Sequence, residues 1–379
     1  MAFSLLKSLL RHSLRSNAKP TARGKEASLA FITPVPALHR LAPHETLESD
    51  QASMRLRVGI PARELARTLP VYLVPPAYCD RDPTLAGLGR VLGIIVGKQP
   101  VSFYTGRASE AERLLGWIER QASQLPIVVD FSDDLAAAAR MYAAPRLADV
   151  QRRLLAACPA TVPCAALEER LRLEARHGLY VIEDPYESGN VHPPRFAPGT
   201  TLKLAWFGVF GQPLRPFLEA ELAALARIID RPVELTFVTQ AAMADVVDAM
   251  AETLRVINPR FLLRHVPWST TVTARALADC DVVLLPQDAD NEWSRVKSHN
   301  RLVETIRAGR LAIASPIPSY VELGSYAWVG HPLAEGVAWA LDHPNAVIDR
   351  ITAGQRYVEQ RFSPQVIATK WRRVIEGRT

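Results

Sequence analysis

Residues 297–323 read KSHNRLVETIRAGRLAIASPIPSYVEL, and this stretch carries the clearest structural pattern in the chain. Residues 300–308 have the polar and apolar spacing of an amphipathic helix. Residues 311–314 form a short apolar run that is bounded by Gly309 on one side and by Ser315 and Pro316 on the other. Such a run predicts a strand that is buried on both faces of a parallel sheet. A helix followed directly by this kind of strand is typical of α/β proteins.

The same alternation extends over the whole chain. Apolar runs of four to eight residues predict twelve strands, at residues 29–35, 71–74, 92–96, 101–104, 127–131, 179–182, 202–207, 233–238, 261–266, 282–285, 311–314 and 326–329. Amphipathic stretches lie between them, at residues 108–125, 214–229, 241–256, 272–278 and 300–308. About twelve strands fit two sheets of about six better than one sheet. The sequence therefore predicts an α/β protein with two doubly wound, Rossmann-like domains.

The best domain boundary is the segment 183–201, EDPYESGNVHPPRFAPGTT, which contains four prolines and two glycines and has no apolar periodicity. We therefore divide the chain into five parts. They are a basic tail (1–26), a first domain (27–185), a linker (186–201), a second domain (202–355) and a C-terminal helix (356–379).

The net charge of +6 is confined to the tail. Residues 1–25 contain six basic residues and no acidic residue, which leaves 39 basic and 39 acidic residues in the other 354. A balanced body argues against nucleic-acid binding. Residues 3–15 place leucines and Phe3 on one half of a helical wheel and Lys7, Arg11 and Arg15 on the other, which predicts contact with an anionic membrane surface. A disordered accessory tail and an organelle transit peptide are the alternatives.

The remaining composition indicates a cytoplasmic protein, with peripheral attachment to the inner face of the membrane as an option. No run of 18 apolar residues and no secretory signal is present. The four cysteines, Cys79, Cys158, Cys164 and Cys280, lack the spacing of a zinc site and are expected to be reduced. We predict no cofactor and no metal site, and we interpret Asp288 and Asp290 as solvated loop residues.

Two further segments of the second domain are candidate ligand sites. Residues 202–211, LKLAWFGVFG, predict a buried strand that ends in a turn with Gly208 and Gly211, followed by a helix. Glycines at this position let backbone N–H groups approach a phosphate, although a tight strand–helix turn has the same composition. Residues 276–286 predict a strand that opens into the polar loop QDADNEWSRVK.

The order of residues in the segment 297–323 resembles the donor-binding segment of GT-B-fold glycosyltransferases. The matching features are Lys297-Ser298-x-x-Arg301-x-x-Glu304, then Ala-Gly, a short strand, Ala-Ser-Pro and Glu-Leu. The resemblance is closest to bacterial enzymes of the retaining, family-4 type (glycosyl transferases group 1). The second Glu of their Glu-x7-Glu pair matches Glu304, whereas the first falls on Val296, so the chain is similar to the variant that lacks the first Glu.

This resemblance implies two Rossmann-like domains that face each other across a cleft, an N-terminal acceptor domain and a C-terminal donor domain. It also implies metal-independent transfer of a sugar from a nucleotide-sugar donor to a glycan, a lipid-linked acceptor or a cell-surface polysaccharide. Retention of the anomeric configuration is expected. Two alternatives are a GT-B-like nucleotide-binding or scaffold protein without catalysis, and a GT-B-fold epimerase, for which we find no set of catalytic carboxylates and histidine.

The physical chemistry of the same residues agrees with a donor site. Lys297, Ser298 and Asn300 are expected at a helix N-terminus, which attracts a diphosphate. Arg301 adds a bidentate donor for phosphate oxygens. Glu304, on the same helix face, can accept the two ribose hydroxyls of a nucleotide. The alternative is an ordinary amphipathic helix with an Arg–Glu pair.

An acidic pair in the first domain completes the candidate residues. Residues 127–134 read IVVDFSDD, and Asp133 and Asp134 follow the predicted strand. They are candidates for orienting an acceptor hydroxyl or for acting as a base. Equally, Ser132 or Asp133 caps the helix predicted at residues 135–141.

Three aromatic residues have two alternative roles each, in ligand contact or in packing. Trp206 and Trp293 are candidates for stacking on a base or sugar, although Trp206 lies within a predicted buried strand and is assigned first to the core. Tyr320 either closes over the donor or packs within its loop.

Overall fold

The computed structural model describes residues 27–97, 108–187, 191–211 and 214–378. The predicted tail helix and the strand predicted at residues 101–104 lie outside these ranges. The described chain divides into two compact units. The first comprises the residues up to Glu187 together with those from Phe362 onward, and the second is Ser188–Arg361.

The first unit is built on a seven-stranded sheet. Its strands are β1 (Ala27–Ile32), β2 (His39–Arg40), β3 (Val71–Val74), β4 (Arg90–Gly97), β5 (Ile127–Asp130), β6 (Ala160–Val162) and β7 (Leu179–Val181). The spatial order is β2-β3-β1-β4-β5-β6-β7, and β2 is antiparallel to β3 while the other pairs are parallel. Two strands, β2 and β6, were not predicted because neither lies in an apolar run: β2 consists of His39 and Arg40, and β6 is a three-residue strand with Thr161 at its centre.

Helices connect these strands. They are α1 (Ala52–Met54), α2 (Ile60–Leu65), α3 (Pro76–Arg81), α4 (Ala108–Gln121), α5 (Leu135–Met141), α6 (Arg146–Ala157) and α7 (Ala165–Leu171). A π-helical turn, Arg55–Gly59, joins α1 to α2, and a 3₁₀ turn occupies Ala86–Leu88. The parallel strands and their helices form the doubly wound arrangement that the alternating pattern predicts.

The second unit contains a six-stranded parallel sheet. Its strands are β8 (Leu202–Phe207), β9 (Val233–Thr239), β10 (Phe261–Pro267), β11 (Val282–Leu285), β12 (Leu311–Ala314) and β13 (Trp328–Val329). The spatial order β10-β9-β8-β11-β12-β13 is the Rossmann order 3-2-1-4-5-6. The order therefore reverses between β8 and β11, and the carboxyl ends of these two strands flank the crevice where doubly wound sheets bind ligands.

Helices follow the strands of the second unit as well. They are α8 (Arg215–Ile228), α9 (Ala244–Ile257), α10 (Thr270–Asp279), α11 (Glu292–Arg295), α12 (Asn300–Arg307), α13 (Pro318–Val321), α14 (Leu333–Asp342) and α15 (Pro344–Phe362). The main apolar cluster lies on one face of the sheet, where Leu202, Leu204 and Trp206 of β8 point. Ala205 and Phe207, which point to the other face, are buried as well, so the sheet is covered on both faces. Trp206, Phe237 and Phe210 form its aromatic centre, with the rings of Trp206 and Phe237 stacked at 4.2 Å.

The last helix, α16 (Pro364–Ile375), packs on the first unit although it follows the second in sequence. Trp371 is fully buried there, with its ring centroid 6.5 Å from that of Phe31 on β1. Lys370 Nζ also lies 2.5 Å from Glu183 Oε2. The boundary that we expected between residues 355 and 356 lies inside α15. The helix ends instead at Phe362, and Ser363 separates it from Pro364, the first residue of α16.

Within the described residues, every helix is too short or too polar to cross a bilayer. The four cysteines are buried thiols and form no disulfide. Burial raises the pKa of Cys79, Cys158 and Cys280 to about 12. These thiols therefore remain protonated at neutral pH and are poor nucleophiles.

Candidate functional site

The turn that follows β8 lies at the crevice of the second unit. Gly208 has a φ of +147°, a conformation that residues with a Cβ rarely adopt. Its N–H donates to the carbonyl of Val238 at 3.1 Å, and its carbonyl accepts from Thr239 Oγ1 at 2.9 Å. A Cβ at Gly208 would lie 3.2 Å from Nη1 of Arg301. The absence of a side chain at this position therefore lets Arg301 lie against the turn.

Arg301 reaches this turn from the first turn of α12. Its Nη1 donates to the carbonyl of Phe207 at 3.4 Å, and its Cζ lies 6.0 Å from the ring centroid of Trp206. The guanidinium is only partly buried. Two residues that the sequence analysis selected from separate segments, Gly208 and Arg301, are thus in contact at the carboxyl edge of the sheet.

Gly211 has a different role from Gly208. Its carbonyl accepts from the N–H groups of Leu214 at 3.1 Å and Arg215 at 3.2 Å, so Gly211 begins the turn that leads into α8. Between the two glycines, the N–H of Phe210 donates to Gln240 Oε1 at 3.0 Å. The side chain of Val209 is 77% exposed. Of the two glycines in the pattern, only Gly208 has the positive φ that requires glycine.

Lys297 precedes α12, and two hydrogen bonds hold its backbone. Its N–H donates to the carbonyl of Ser294 at 3.2 Å, and its carbonyl accepts from Ser319 Oγ at 2.6 Å. Its Nζ lies 3.6 Å from the ring centroid of Trp293. Ser319 is fully buried on α13. The lysine is therefore held between α11 and α13, immediately before the N-terminus of α12.

Ser298, His299 and Asn300 form the entrance to α12, and both Ser298 and Asn300 are half-buried. His299 occupies the N-cap position without a side-chain capping bond to the helix. Its buried ring faces α13 instead, with Nε2 at 3.1 Å from Glu322 Oε2, which Arg361 Nη2 also contacts at 3.0 Å. The His299 hydrogen bond is the main cause that lowers the pKa of Glu322. The start of α12 is thereby tied to the end of α13.

Glu304 lies one turn after Arg301 on α12, and its side chain is 8% exposed. Val296, at the position that matches the first Glu of the Glu-x7-Glu pair, is buried with 7% exposure. An apolar residue is compatible with that environment, whereas an unpaired carboxylate would be costly there.

The acidic pair of the first unit separates into two different environments. Asp134 is fully buried, and its Oδ1 accepts from the N–H groups of Ala136 at 2.9 Å and Ala137 at 3.1 Å, which makes it the N-cap of α5. Its Oδ2 lies 3.2 Å from Nε of Arg170. The expectation that Ser132 or Asp133 caps this helix was wrong, because the first helical residue is Leu135 and the cap is the residue directly before it. Asp133 is half-buried and contributes, after burial, to raising the pKa of Tyr142.

A buried charge network at the ends of β5 to β7 was missed by the sequence analysis. Arg57 Nη2 and Nε donate to the two carboxylate oxygens of Asp130 at 2.6 and 3.1 Å, and Nη1 lies 3.3 Å from Asp184 Oδ1. Thr161 Oγ1 also donates to Asp130 at 2.7 Å. Burial acts to lower the pKa of Arg57, but the two carboxylates outweigh it and raise the pKa. The signal was Asp130 itself, a carboxylate at the end of a buried strand, which requires a charged partner.

The three aromatic candidates and the loop aspartates lie in different surroundings. Trp206 and Tyr320 are fully buried, whereas Trp293 is half-buried. Asp288 Oδ1 accepts from the N–H of Asp290 at 3.0 Å, which is a loop-closing bond. In the part of the chain that the structure describes, no three His, Cys, Asp or Glu side chains are grouped so that they could hold a metal ion.

The similarity to solved structures extends over both units. HepE from Anabaena in complex with UDP aligns over 93% of this chain and 100% of its own, with 13% identity and a TM-score of 0.60. The chain has the GT-B fold. The sequence-based prediction of this fold is therefore confirmed. No protein-family model and no curated protein sequence matches the chain.

Other structures with the GT-B fold align at similarly low identity and with lower TM-scores. An alpha,alpha-trehalose-phosphate synthase (UDP-forming) from Burkholderia vietnamiensis aligns over 93% of this chain and 99% of its own, with 11% identity and a TM-score of 0.55. TarM from S. aureus aligns over 75% of this chain but only 54% of its own length, with 12% identity and a TM-score of 0.51. At these identities the similarity establishes the fold.

Proposed function

We propose that the protein is a glycosyltransferase that moves a sugar from a nucleotide-sugar donor to a glycan or lipid-linked acceptor. The observation that carries the proposal is the contact between Arg301 and Gly208, because it brings a partly exposed guanidinium to the switch-point crevice of a Rossmann sheet. Doubly wound sheets bind nucleotides at this crevice. HepE, which has the same fold, has been solved with UDP and with UDP-glucose.

The proposed donor site neutralises a leaving diphosphate. Negative charge develops on the nucleoside diphosphate as the bond to the sugar breaks, and fixed positive groups stabilise that charge. Arg301 supplies a bidentate guanidinium, Lys297 supplies an ammonium, and Ser298 and Asn300 lie at the N-terminus of α12, whose dipole favours an anion. We propose that this set serves in place of a metal ion and that transfer retains the anomeric configuration.

Glu304 is proposed to bind the ribose hydroxyls of the donor. It lies one turn from Arg301 on the same helix face, so a diphosphate on Arg301 would bring the ribose within reach of its carboxylate. Gly208 is proposed to allow the close approach of the diphosphate, and Gly211 to orient the start of α8. UDP-hexoses are the first donors to test, because UDP-glucose is the donor bound to HepE.

The first unit is proposed to bind the acceptor. Of the acidic pair, Asp133 is the better candidate for orienting the acceptor hydroxyl, because it is half-buried whereas Asp134 is fully buried as the N-cap of α5. Residues 3–15 are proposed to attach the protein to an anionic membrane on the cytoplasmic side. Deleting residues 1–25 should abolish binding to vesicles of anionic lipid and leave nucleotide binding intact. A loss of nucleotide binding in the truncated protein would contradict this division.

A thermal-shift panel of nucleoside diphosphates and their sugars tests the donor site directly, because a ligand at 100 times its Kd stabilises by about 2.7 kcal/mol. We expect one base to raise the melting temperature in the wild type and to lose its effect in Arg301→Ala. Release of the nucleoside diphosphate from the matching sugar donor should be abolished in Glu304→Ala while that variant remains folded. If no nucleotide in the panel stabilises the wild type, the proposal is wrong.

Val296 favours a second candidate, a nucleotide-binding protein of this fold without catalysis. A buried valine occupies the position that carries an acid in the enzymes that the chain resembles. Such a protein would bind a nucleoside diphosphate but show neither transfer nor hydrolysis with any donor that binds. Turnover that depends on Glu304 would exclude it.

A further inference from the structure

Both predicted phosphate-binding cations lie near a tryptophan. Lys297 Nζ is 3.6 Å from the ring centroid of Trp293, and Arg301 Cζ is 6.0 Å from that of Trp206. The two rings differ in their surroundings. Trp206 is fully buried in the aromatic centre of the core, whereas Trp293 is half-buried on the short helix α11. Trp293 is therefore the ring whose role can be examined without opening the core.

The backbone on both sides of the Trp293–Lys297 pair is fixed. Asn291 Oδ1 accepts from the N–H groups of Trp293 at 3.0 Å and Ser294 at 3.2 Å, which caps α11. The N–H of Lys297 donates to Ser294, and its carbonyl accepts from the buried Ser319 hydroxyl. The chain thus turns back after α11, and the Lys297 ammonium lies 3.6 Å from the centroid of the Trp293 ring.

An ammonium over an indole face is attracted by the negative charge density of the ring, and tryptophan gives the strongest such interaction. A lysine that is not held in this way keeps much rotamer freedom and loses it when it binds a phosphate. A ring that already holds the ammonium removes part of that cost from binding, because the lysine is ordered before the ligand arrives.

We propose that Trp293 is a positioning residue for the donor diphosphate, which acts by holding the Lys297 ammonium next to the N-terminus of α12. This inference rests on the proposed function, since it assumes that a nucleoside diphosphate binds at Lys297. It assigns Trp293 no contact with the base or the sugar. Its effect on the ligand passes through Lys297 alone.

The test is isothermal titration of the wild type and three single variants with the nucleoside diphosphate that stabilises the wild type most. Trp293→Leu removes the ring face, and Trp293→Phe keeps an aromatic face. Trp339→Leu is the matched control, because Trp339 makes a comparable contact with Arg350, at 4.5 Å, on α14 and α15. We expect Trp293→Leu to raise the Kd by about 3- to 10-fold. Trp293→Phe should retain most of the affinity, and Trp339→Leu should leave it unchanged.

A double-mutant cycle separates positioning from direct contact. In a Lys297→Met background, Trp293→Leu should change the Kd by less than about twofold, because the ammonium through which the ring acts is gone. A full additional loss in that background would mean that the ring contacts the ligand itself and would overturn the inference. Thermal melting of each variant checks its folding. If Trp293→Leu unfolds, a Kd for Trp293→Phe that rises as far as that of Lys297→Met would overturn the inference, because the aromatic face is still present. If the wild type binds and Trp293→Leu binds equally well, the inference alone fails. If the wild type binds no nucleotide in the panel, the proposed function fails as well.

Discussion

Replacing Gly208 by alanine tests the contact on which the candidate site depends. The backbone at Gly208 has a φ of +147°, and a Cβ there would lie 3.2 Å from Nη1 and 3.6 Å from Cδ of Arg301. Alanine in such a sparsely populated conformation costs about 1–3 kcal/mol. The added methyl group also requires the flexible arginine to move by a few tenths of an ångström. The 3.4 Å hydrogen bond from Arg301 to Phe207 is then the first contact to lengthen.

The expected loss follows from these two effects. In a unit of this size, each kcal/mol lowers the melting temperature by about 2–4 °C, so the second unit should melt roughly 2–12 °C lower. A displaced guanidinium weakens its charge-assisted bonds to phosphate, and we expect the Kd for the nucleoside diphosphate to rise roughly tenfold, which corresponds to about 1.4 kcal/mol. Differential scanning fluorimetry and isothermal titration measure the two quantities on the same samples.

Gly199→Ala is the matched control for Gly208→Ala. A Cβ at Gly199 has no neighbour within 4 Å, so this variant should melt and bind like the wild type. Gly208→Ala could also melt within about 1 °C of the wild type and bind the nucleoside diphosphate equally well. That result would show that neither the positive φ at Gly208 nor the approach of Arg301 affects stability or affinity, and it would refute the prediction.

Three further predictions concern other parts of the fold. Trp371→Ala should destabilise the first unit by about 3–5 kcal/mol, because the ring is fully buried against Phe31, yet leave nucleotide binding by the second unit unchanged in a titration below the melting temperature. Asp134→Ala should cost about 0.5–2 kcal/mol of unfolding free energy, seen in urea melts, because it removes the N-cap of α5; a change in kcat without a change in stability would contradict the capping role. The His299 hydrogen bond lowers the pKa of Glu322 in the folded protein. Ionised Glu322 therefore stabilises the fold at pH values above the pKa that Glu322 has in the unfolded chain. This contribution is lost as the pH falls through the lower pKa of the folded protein. The stability difference between wild type and Glu322→Gln, less than about 1 kcal/mol for this partly exposed group, should therefore shrink in melts below pH 4 to 5.

Three strands of the second unit were predicted with their observed bounds because each is a short, largely apolar run. Residues 202–207, 282–285 and 311–314 have the predicted bounds. The strands β2 and β6 were missed because neither lies in an apolar run, and their assignment depends on the strands beside them. The equally short β7 and β13 were predicted because they lie within apolar runs. Local sequence therefore reveals strands that lie in apolar runs, whereas the others follow from tertiary pairing.

The candidate site was predicted as a set of residues but not as an arrangement. The contact between Gly208 and Arg301 depends on the strand order that places β8 beside β11, and that order is not encoded in any local pattern. The pairing of Lys297 with Trp293 was not predicted, because Trp293 was considered only for stacking on a base or sugar. The network of Arg57, Asp130 and Asp184 was signalled only by Asp130 at the end of its buried strand. Its partners were not readable, because Arg57 lies 73 residues before Asp130 and 127 residues before Asp184 in sequence.

The low identity to structures of the same fold has a physical explanation in this chain. HepE matches 93% of the chain at only 13% identity. Strands that are buried on both faces require apolar residues of suitable volume, and exchanges among Val, Leu and Ile at such positions keep the sheet intact. The proposed donor site imposes stricter conditions at few positions: a residue without a Cβ after β8, a cation that reaches it from α12, and a support for that cation. In this chain the two proposed cations lie near indole rings, and Arg301 also donates to the carbonyl of Phe207. The fold can therefore persist while most of the sequence diverges, because few positions carry conditions stricter than apolar character and volume.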